Sequence, residues 1–501
     1  MTNPALNKQP NGAFCFVFRA VLVVGGLAGF SYGYDLTVLS GALLFLKQKF
    51  EMSDALAGFL TGALVLGGAF GALISGSIAD KSGRRFANIF AMALLIIGVL
   101  ITTFTPNITW MIIGRIILGI GAGSMTVVAP MYIAEIAPPA TRGAMVTIFQ
   151  LALTLGIMVS FIVDTSLAHS EAWRWMFGLN LIPAGLAFVL LFLIPQSPRW
   201  LISKNRDEKA ATILSHTMTP ENVTATVASI KEDMSHIERA SWSELFSGKL
   251  FKVVLIGVIL MCIQQISGVN TVFYYAPFIF EAAGFESSKA ALIATTSVGI
   301  INFLMTLIAV ATVDRWGRRP LFLLGLSLMI ISLTVLGITF YLTQGLAAPA
   351  TEIMQSSSGG GHTAATNLAH AAHAHQAATH TTSTTSPILG YITIACLMLF
   401  ISSFALSLGP ICFVTVSEIF PTKIRSKAIA LALTANWLGN FFVAQTFLVF
   451  LDSIGVAMTF WMYAIINTAA LIFVFFLVPE TKGHTLEEIE TRWIENGEKL
   501  R

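Results

Sequence analysis

Twelve apolar runs, each long enough to cross a lipid bilayer, constrain the fold of this 501-residue chain more than any other feature. A helix needs about 20 apolar residues to cross a hydrocarbon core of about 30 Å. The runs form two sets of six and lie near residues 17–43, 55–79, 86–105, 109–134, 143–165, 174–195, 251–280, 289–313, 320–342, 388–416, 426–450 and 457–478. Because 55% of the residues are hydrophobic and only 11% are charged, the composition excludes a soluble protein. The sequence predicts an all-α membrane protein with twelve transmembrane helices.

Charged segments separate and follow the two sets of runs. We predict an N-terminal six-helix half over 1–195, a cytosolic helical linker domain over 196–250, a C-terminal six-helix half over 251–478 and a cytosolic tail over 479–501. A cleavable signal peptide is not expected, because the polar start leads into a run longer than the apolar core of a signal peptide.

The basic residues predict the orientation of the chain. Of the 29 lysines and arginines, we place Arg115 within the membrane and Lys47, Lys49, Arg174 and Lys289 on one side, with all the others opposite. The positive-inside rule then puts both termini, the linker and the basic loops in the cytosol of a multi-pass cell (inner or plasma) membrane protein. The net charge of +3 does not indicate a nucleic-acid partner, because the charges are confined to loops.

The two halves repeat short motifs. Asp80–Arg85 recurs as Asp314–Arg319, and the Glu-Ile-x-Pro motif at Glu135 recurs at Glu418. The two offsets differ, which places an insertion in the second half at residues 344–386, rich in Ala, Thr, Ser, Gly and His. Two parallel six-helix halves fit a transporter whose site lies between them and which works by rocking of the halves.

The insertion and the cysteines do not predict a metal site or a cofactor. Five histidines between residues 362 and 380 could bind a metal as a His-rich tract. A disordered extracytoplasmic loop fits better, because the segment has few apolar residues to bury and no fixed histidine spacing. Cys15, Cys262, Cys396 and Cys412 lie in or beside apolar runs without metal-binding or redox spacing, and we expect them to be packing residues.

Polar side chains interrupt the apolar run near residues 250–280. In a regular helix, Gln265 points away from Asn270, so one amide would face lipid at a cost. A helix loosened near Gly268 and Pro277 could turn all the polar groups of 264–277 to the interior. Uncharged amides and tyrosines suit a neutral polyhydroxylated ligand. The alternative is hydrogen bonding between helices without a ligand.

Asp35 and Arg115 are the only ionisable residues that we place well inside predicted helices. Both lie roughly 10 Å below the outer surface, so they can meet. Because arginine does not release its proton in a protein, any transported proton must bind Asp35. We predict that ionised Asp35 pairs with Arg115 and that protonation frees the pair and shifts the conformational equilibrium. The alternative is a static buried ion pair.

Acids and bases recur together at the cytosolic ends of the predicted helices. We predict that they form a cytosolic gate, in which salt bridges close the inner side and break when it opens. The alternative is charge that only anchors the loops in the cytosol. The residues are Asp80, Arg84, Arg85, Glu135, Arg142, Asp314, Arg318, Arg319, Glu418 and Arg425.

Glycines recur at helical spacing within the apolar runs. Gly25, Gly29 and Gly33 form one series, and Gly67 and Gly71 form another. This pattern predicts close helix packing.

These motifs together resemble the sugar porter family of the major facilitator superfamily. The matching segments are Gln264–Asn270 with Tyr274–Pro277, Pro130–Glu135 with Arg142–Gly143, Pro195–Leu201, the two Gly-Arg-Arg loops and Pro479–Gly483. The resemblance covers the chain outside the insertion. It implies a twelve-helix fold, alternating access, and a monosaccharide bound between the halves.

The resemblance also implies a substrate site, residue by residue. Sugar contacts would come from Gln150, Gln264, Gln265, Asn270, Asn302, Asn436 and Trp437, with Tyr32 lining the site and Tyr274 and Tyr275 closing it from outside. Two positions depart from the family pattern. Phe413 stands where the family usually has Trp and lacks the indole N–H. Asn436 stands where xylose symporters have Gln, which favours a hexose.

Asp35 resembles the acid of proton-coupled members of the family, whereas animal facilitative carriers have an uncharged residue there. We therefore expect a proton-coupled symporter importing a hexose (glucose or galactose) or a pentose (xylose). The expected partners are the sugar, the proton and the bilayer, and we expect a monomer. The alternatives are a facilitator in which Asp35 is structural and a sugar receptor without net flux. An enzyme is not expected, because no convincing nucleophile or metal set is present.

Overall fold

The computed structural model describes residues 17–137, 141–216, 220–236, 243–285, 287–357, 387–421, 423–482 and 488. These residues form helices joined by turns and loops, and no β-strand occurs among them. The predicted gate side chains of Arg142 and Asp314 lie outside the described residues, as do residues 358–386 of the insertion.

Twelve of the helices are long and apolar enough to cross a membrane, as the sequence predicts. They are α1 (Val17–Lys49), α2 (Asp54–Ser82), α3 (Arg84–Thr103), α4 (Ile108–Ile136), α5 (Gly143–Ser170), α6 (Trp173–Leu191), α7 (Leu250–Ala282), α8 (Ser288–Thr312), α9 (Arg318–Leu342), α10 (Leu389–Ile419), α11 (Lys427–Ser453) and α12 (Val456–Leu477). The chain is therefore a multi-pass membrane protein with six spanning helices on each side of the linker.

Glycines bring the backbones of the N-terminal half close together. A Cβ at Gly33 on α1 would overlap the backbone of Leu153 on α5. A Cβ at Gly67 on α2 would overlap the carbonyl of Ile116 on α4. The prediction of close helix packing at the repeated glycines is confirmed.

The two halves meet at one end of the bundle, which carries the connections α1–α2, α5–α6, α7–α8 and α11–α12 and is called here the short-loop end. Gln445 on α11 donates to the carbonyl of Ala55 on α2 at 3.0 Å. The Thr165 hydroxyl on α5 lies 2.8 Å from that of Thr296 and donates to the Leu292 carbonyl, both on α8. Hydrogen bonds therefore join the halves at this end.

The linker lies at the opposite end, called here the linker end. Its helices are Pro198–Ser203, Asp207–Ser215 and Pro220–His236, followed by a short 3₁₀ helix, Ser243–Phe246. The linker has a small apolar core that includes Trp200. The indole Nε1 of Trp200 donates to the Asp80 carbonyl at 3.0 Å. The prediction of a helical linker is confirmed, and Trp200 attaches it to the N-terminal half.

The predicted insertion begins as helix. The helix that contains α9 runs from Arg318 to Ser357, so the prediction of a disordered loop is wrong over residues 344–357. This segment continues a helix that is already nucleated, and its Leu, Ala, Gln, Glu and Met residues favour the helix, although Gly345 and Pro349 do not.

Candidate functional site

Helix α7 is broken in the middle, and the break positions its polar side chains. Its two helical parts, Gly248–Ile266 and Val269–Ala282, meet at Gly268, whose φ of +93° favours glycine. A Cβ there would also lie 2.8 Å from the Tyr463 ring. The predicted loosening near Gly268 is confirmed. The predicted loosening at Pro277 is wrong, because that proline lies inside the second part and a spanning helix can re-satisfy the one freed carbonyl.

Helix α12 compensates for the broken backbone. The Asn467 carboxamide donates to the carbonyl of Ser267 at 2.9 Å and to that of Tyr463 at 2.8 Å. A freed carbonyl in the middle of a membrane helix is costly unless a neighbour satisfies it. Asn467 therefore stabilises the break that shapes the site.

The break brings four predicted site residues into one hydrogen-bonded cluster, called here the amide cluster: Gln264, Gln265, Asn270 and Asn436. Gln265 Nε2 donates to Asn436 Oδ1 at 3.0 Å, and Asn436 Nδ2 donates to Gln264 Oε1 at 2.7 Å. Asn270 Nδ2 donates to Gln265 Oε1, a contact that a regular helix would not allow. The structure thus turns all four carboxamides to one interior site.

A second broken helix completes this side of the site. Within α10, the helical parts Pro387–Leu406 and Leu408–Ile419 meet at Ser407. Gln264 Nε2 donates to two carbonyls at this break, those of Leu408 at 3.0 Å and Gly409 at 2.9 Å. These backbone acceptors were not predicted from the sequence, although Gly409-Pro410 is a typical helix-breaking pair.

Aromatic residues border the amide cluster. The rings of Tyr32 on α1 and Trp437 on α11 lie 6.3 Å apart, so they touch across the two halves. The Tyr274 hydroxyl accepts from Asn440 Nδ2 at 3.1 Å, and the Tyr275 hydroxyl donates to the Ala444 carbonyl at 2.6 Å. Sequence reasoning missed Asn440, although it follows Asn436 by four residues and so shares its helix face.

Three other predicted site residues lie outside the hydrogen bonds of the amide cluster. Asn302 on α8 is buried, and its Nδ2 has no partner. Gln150 on α5 is half-buried, and Phe413 on α10 is 46% exposed. A role for these residues in a site between the halves stays a prediction, because the structure does not join them to the amide cluster.

Asp35 and Arg115 meet, as predicted, but not through their charged groups. Both are buried, and Arg115 Nη1 donates to the backbone carbonyl of Asp35 at 3.1 Å. Neither carboxylate oxygen of Asp35 has a partner in good hydrogen-bond geometry, although the Asn180 side chain lies close to the carboxyl group. The predicted ion pair is therefore not formed in this conformation. A charged carboxylate without a partner is costly here, so the arrangement suits the protonated acid.

A third buried ionisable residue was not expected. Asp164 on α5 is fully buried, and its Oδ2 accepts the backbone N–H of Gly41 on α1 at 3.2 Å. The prediction that Asp35 and Arg115 are the only such residues is wrong. The fifth apolar run was ended at residue 165, whereas α5 continues to Ser170 and encloses Asp164.

The N-terminal half carries a polar network at the linker end. Arg84 pairs with Asp80 and with Glu135, each at 3.0 Å. Glu135 also accepts from the Ser197 hydroxyl, and Gln196 Oε1 accepts the backbone N–H of Arg85, at 2.8 Å, in the first turn of α3. The Arg85 guanidinium donates to two carbonyls at the end of α6. The network joins α2, α3, α4 and the start of the linker.

The C-terminal half repeats this network. Arg318 pairs with Glu418 at 3.1 Å, and Glu418 accepts from the Thr481 hydroxyl at 2.6 Å. Glu480 accepts the backbone N–H groups of Arg318 and Arg319, at 3.1 and 3.0 Å, in the first turn of α9. Arg319 also donates to the Phe475 carbonyl, and Arg425 donates to the Phe420 carbonyl.

Four members of these networks were missed: Gln196, Ser197, Glu480 and Thr481. The sequence contains their signal, because Pro-Gln-Ser at 195–197 repeats as Pro-Glu-Thr at 479–481. The described ion pairs above connect parts of one half. A latch between the halves therefore stays a prediction for another conformation.

A family model described as sugar (and other) transporter matches residues 21–375 and 359–493. The chain belongs to the sugar porter family of the major facilitator superfamily. Among curated sugar porters, the galactose-proton symporter of Escherichia coli (strain K12) is 34% identical over 99% of this chain and 98% of its own length. The arabinose-proton symporter of the same strain is 34% identical over 96% of this chain and 94% of its own length. The D-xylose-proton symporter of that strain is 33% identical over 97% of this chain and 97% of its own length.

Solved structures agree with this family assignment. The partially occluded inward-open conformation of the xylose transporter XylE from Escherichia coli matches with a TM-score of 0.76 and 31% identity, covering 94% of this chain and all of that one. The inward-open conformation of the same transporter matches with a TM-score of 0.75 and 30% identity, covering 95% of this chain and 99% of that one. The resemblance seen in the sequence motifs is confirmed.

Proposed function

We propose that the protein is a proton-coupled monosaccharide symporter that imports a hexose (glucose or galactose) or a pentose (xylose) by alternating access. The observation that carries the proposal is Asp35, a buried acid beside Arg115 and Asn180 whose carboxyl group forms no ion pair among the described residues. A buried membrane acid indicates an ion pathway by default. The similarity to galactose-, arabinose- and xylose-proton symporters supports it.

The amide cluster is the sugar site. Each sugar hydroxyl both donates and accepts, as carboxamides do, so a sugar can exchange with the bonds among Gln264, Gln265 and Asn436 at little net cost. Gln150, Asn270 and Asn302 supply further amides. The ring faces of Tyr32, Trp437 and Phe413 can pack against the apolar side of a sugar ring, while Tyr274 and Tyr275 close the site from the short-loop end.

Protonation of Asp35 couples the proton to the sugar. When ionised, the carboxylate attracts the Arg115 guanidinium, and when protonated it loses that attraction. Arg115 keeps its backbone hydrogen bond in either state, so α1 and α4 stay in contact while the electrostatic balance changes. A proton that binds one conformation better than the other shifts their populations.

The contacts between the halves support a conformation closed at the short-loop end. There, Gln445 and Thr165 bridge the halves, whereas at the linker end the ion pairs of the two acid–base networks each join parts of one half. Lys423 of the C-terminal half also pairs with Glu244 of the linker, at 2.8 Å. The positive-inside rule places the short-loop end outside and both termini in the cytosol of a cell membrane. The acid–base networks then act as the cytosolic gate of a monomeric carrier.

Sugar uptake into proteoliposomes tests the proposal. We expect an imposed inward proton gradient to drive accumulation of labelled glucose, galactose or xylose by the natural protein. Asp35→Asn should exchange sugar across the membrane without accumulating it. Asp452→Asn, which removes an exposed acid from α11, is the matched control and should accumulate sugar normally. Equal, gradient-independent equilibration by all three proteins would identify a facilitator, and saturable binding without flux would identify a receptor.

A further inference from the structure

Asp164 is a fully buried acid that the coupling scheme above does not use. Its Oδ2 accepts the Gly41 backbone N–H at 3.2 Å, and its Oδ1 has no partner. A Cβ at Gly41 would lie 2.6 Å from this carboxyl group, so the glycine leaves the space in which the acid lies against α1. The contact is therefore built by both helices.

The surroundings of Asp164 do not supply a compensating positive charge. Tyr34 on α1 interacts electrostatically with Asp164, and it interacts with Asp35 as well. Among the described residues, no lysine, arginine or histidine lies within the 4.0 Å salt-bridge distance of Asp164. Two more buried hydroxyls on the same two helices, Ser40 and Ser160, also lack partners. In such surroundings a neutral acid is far cheaper to bury than a carboxylate.

Asp164 lies next to a contact between the halves. Its neighbour Thr165 binds the Leu292 carbonyl at 3.0 Å and the Thr296 hydroxyl at 2.8 Å, both on α8 of the other half. Asp164 lies six residues before the end of α5, about 9 Å from the short-loop end. If the halves part at this end, α5 loses the cover of α8 and water can reach the carboxyl group.

We infer that Asp164 is a second proton-binding residue of the transport cycle, and that it must bind a proton from the outer side before the short-loop end closes over it. This inference rests on the proposed symport. Closure buries the carboxyl group, and burial favours the neutral form, so proton binding and closure favour each other. Asp35 and Gly41 are separated by about 9 Å along α1, which places Asp164 on the short-loop side of Asp35.

A conformational reporter tests the inference without sugar or a proton gradient. The reporter is Gln445→Cys, on the α2–α11 side of the short-loop contact, in a protein whose four natural cysteines are replaced. The substitution removes the Gln445 hydrogen bond to Ala55 from the parent and from every variant alike, so only differences between these proteins are compared. Labelling by a membrane-impermeant maleimide measures opening, and labelling of the unfolded protein at each pH corrects for thiol reactivity. With Asp164 present, we expect opening to fall as the pH is lowered from about pH 8 to about pH 5, by up to about tenfold for each pH unit, because one proton binds on closure.

Variants of Asp164 decide the outcome. Asp164→Asn mimics the neutral acid and should show low labelling that no longer depends on pH, whereas Asp164→Glu should restore the dependence. Sugar counterflow shows that each variant is folded. If Asp164→Asn does not fold, the variant Asp164→Ser takes its place in the experiment. The same pH dependence in the parent and in Asp164→Asn would overturn the inference. Loss of the pH dependence in Asp35→Asn, with the dependence kept in Asp164→Asn, would also overturn the inference. Failure of proton-driven accumulation is a separate result, because labelling does not require it.

Discussion

The Arg115 guanidinium binds the backbone carbonyl of Asp35, at 3.1 Å, and not its carboxylate. A main-chain acceptor does not change when the side chain takes up or releases a proton. We therefore expect Arg115 to hold α4 against α1 in both protonation states, with the Asp35 carboxyl group available for the proton. This arrangement separates the structural role of the arginine from its electrostatic role.

The first prediction concerns the stability of this contact. Asp35→Asn should leave the thermal stability of the purified protein nearly unchanged, because the Arg115 hydrogen bond to the backbone remains. Arg115→Gln should lower stability, since it removes a charged hydrogen bond worth about 1.5–3 kcal/mol. Unfolding in detergent, followed by intrinsic fluorescence, measures both. Equal destabilisation by the two variants would show that the side chains support each other directly.

The second prediction concerns the amide cluster. Gln265→Ala removes the acceptor of Asn270 and the donor to Asn436, and it removes amide groups offered to the sugar. Sugar affinity should fall about tenfold or more, the effect of losing one or two hydrogen bonds. Gln48→Ala, which removes an exposed carboxamide from α1, is the matched control. Sugar titration of both variants checks this, and an unchanged affinity in Gln265→Ala would place the sugar elsewhere.

The third prediction concerns the glycines. Gly33→Ala should destabilise the protein by about 1–3 kcal/mol, because its Cβ would overlap the Leu153 backbone, which cannot move aside cheaply. Gly76→Ala on α2 has no atom within 4 Å of the new Cβ and should stabilise by about 0.5–1 kcal/mol through helix propensity. The two melting temperatures should thus shift in opposite directions. A similar shift for both would contradict the packing argument.

Much of this fold could be predicted from local pattern. Runs of apolar residues determine where helices cross the membrane, so the twelve helices follow from the sequence to within a few residues at most ends. The break at Gly268 also has a local cause, since glycine separates polar side chains that a regular helix would point apart. The repeated glycines predicted the helix contacts because only glycine allows backbones to approach so closely.

The site could be predicted only in part, because contacts between distant helices have no local signal. The bond from Arg115 to the Asp35 carbonyl, and those from Gln264 to the α10 carbonyls, have main-chain acceptors that no side-chain pattern reveals. Asp164 was missed for another reason. It lies near the end of an apolar run, where sequence cannot distinguish a buried acid from one at the membrane surface.

The fourth prediction concerns the repeated networks at the linker end. Gly83 and Gly317, with φ of +91° and +89°, each immediately precede a helix. The first turn of that helix is bound by one side chain that follows the sixth spanning helix of the same half. Glu480 accepts two N–H groups of α9 and is charged, whereas Gln196 accepts one N–H group of α3 and is neutral. A carboxylate is favoured at a helix N-terminus by the helix dipole.

Glu480→Ala should therefore destabilise the protein more than Gln196→Ala does. We expect about 1–2 kcal/mol for the first variant and about half of that for the second, the range found for N-terminal helix caps. Glu480→Gln keeps one acceptor oxygen without the charge, so its stability should lie between that of the natural protein and that of Glu480→Ala. Melting temperatures of the three variants, at low and high salt, provide the check. Because salt screens the dipole interaction, the difference between Glu480→Gln and the natural protein should shrink as salt rises. A larger loss for Gln196→Ala would show that the N-terminal network, not the charge on Glu480, dominates stability at this end.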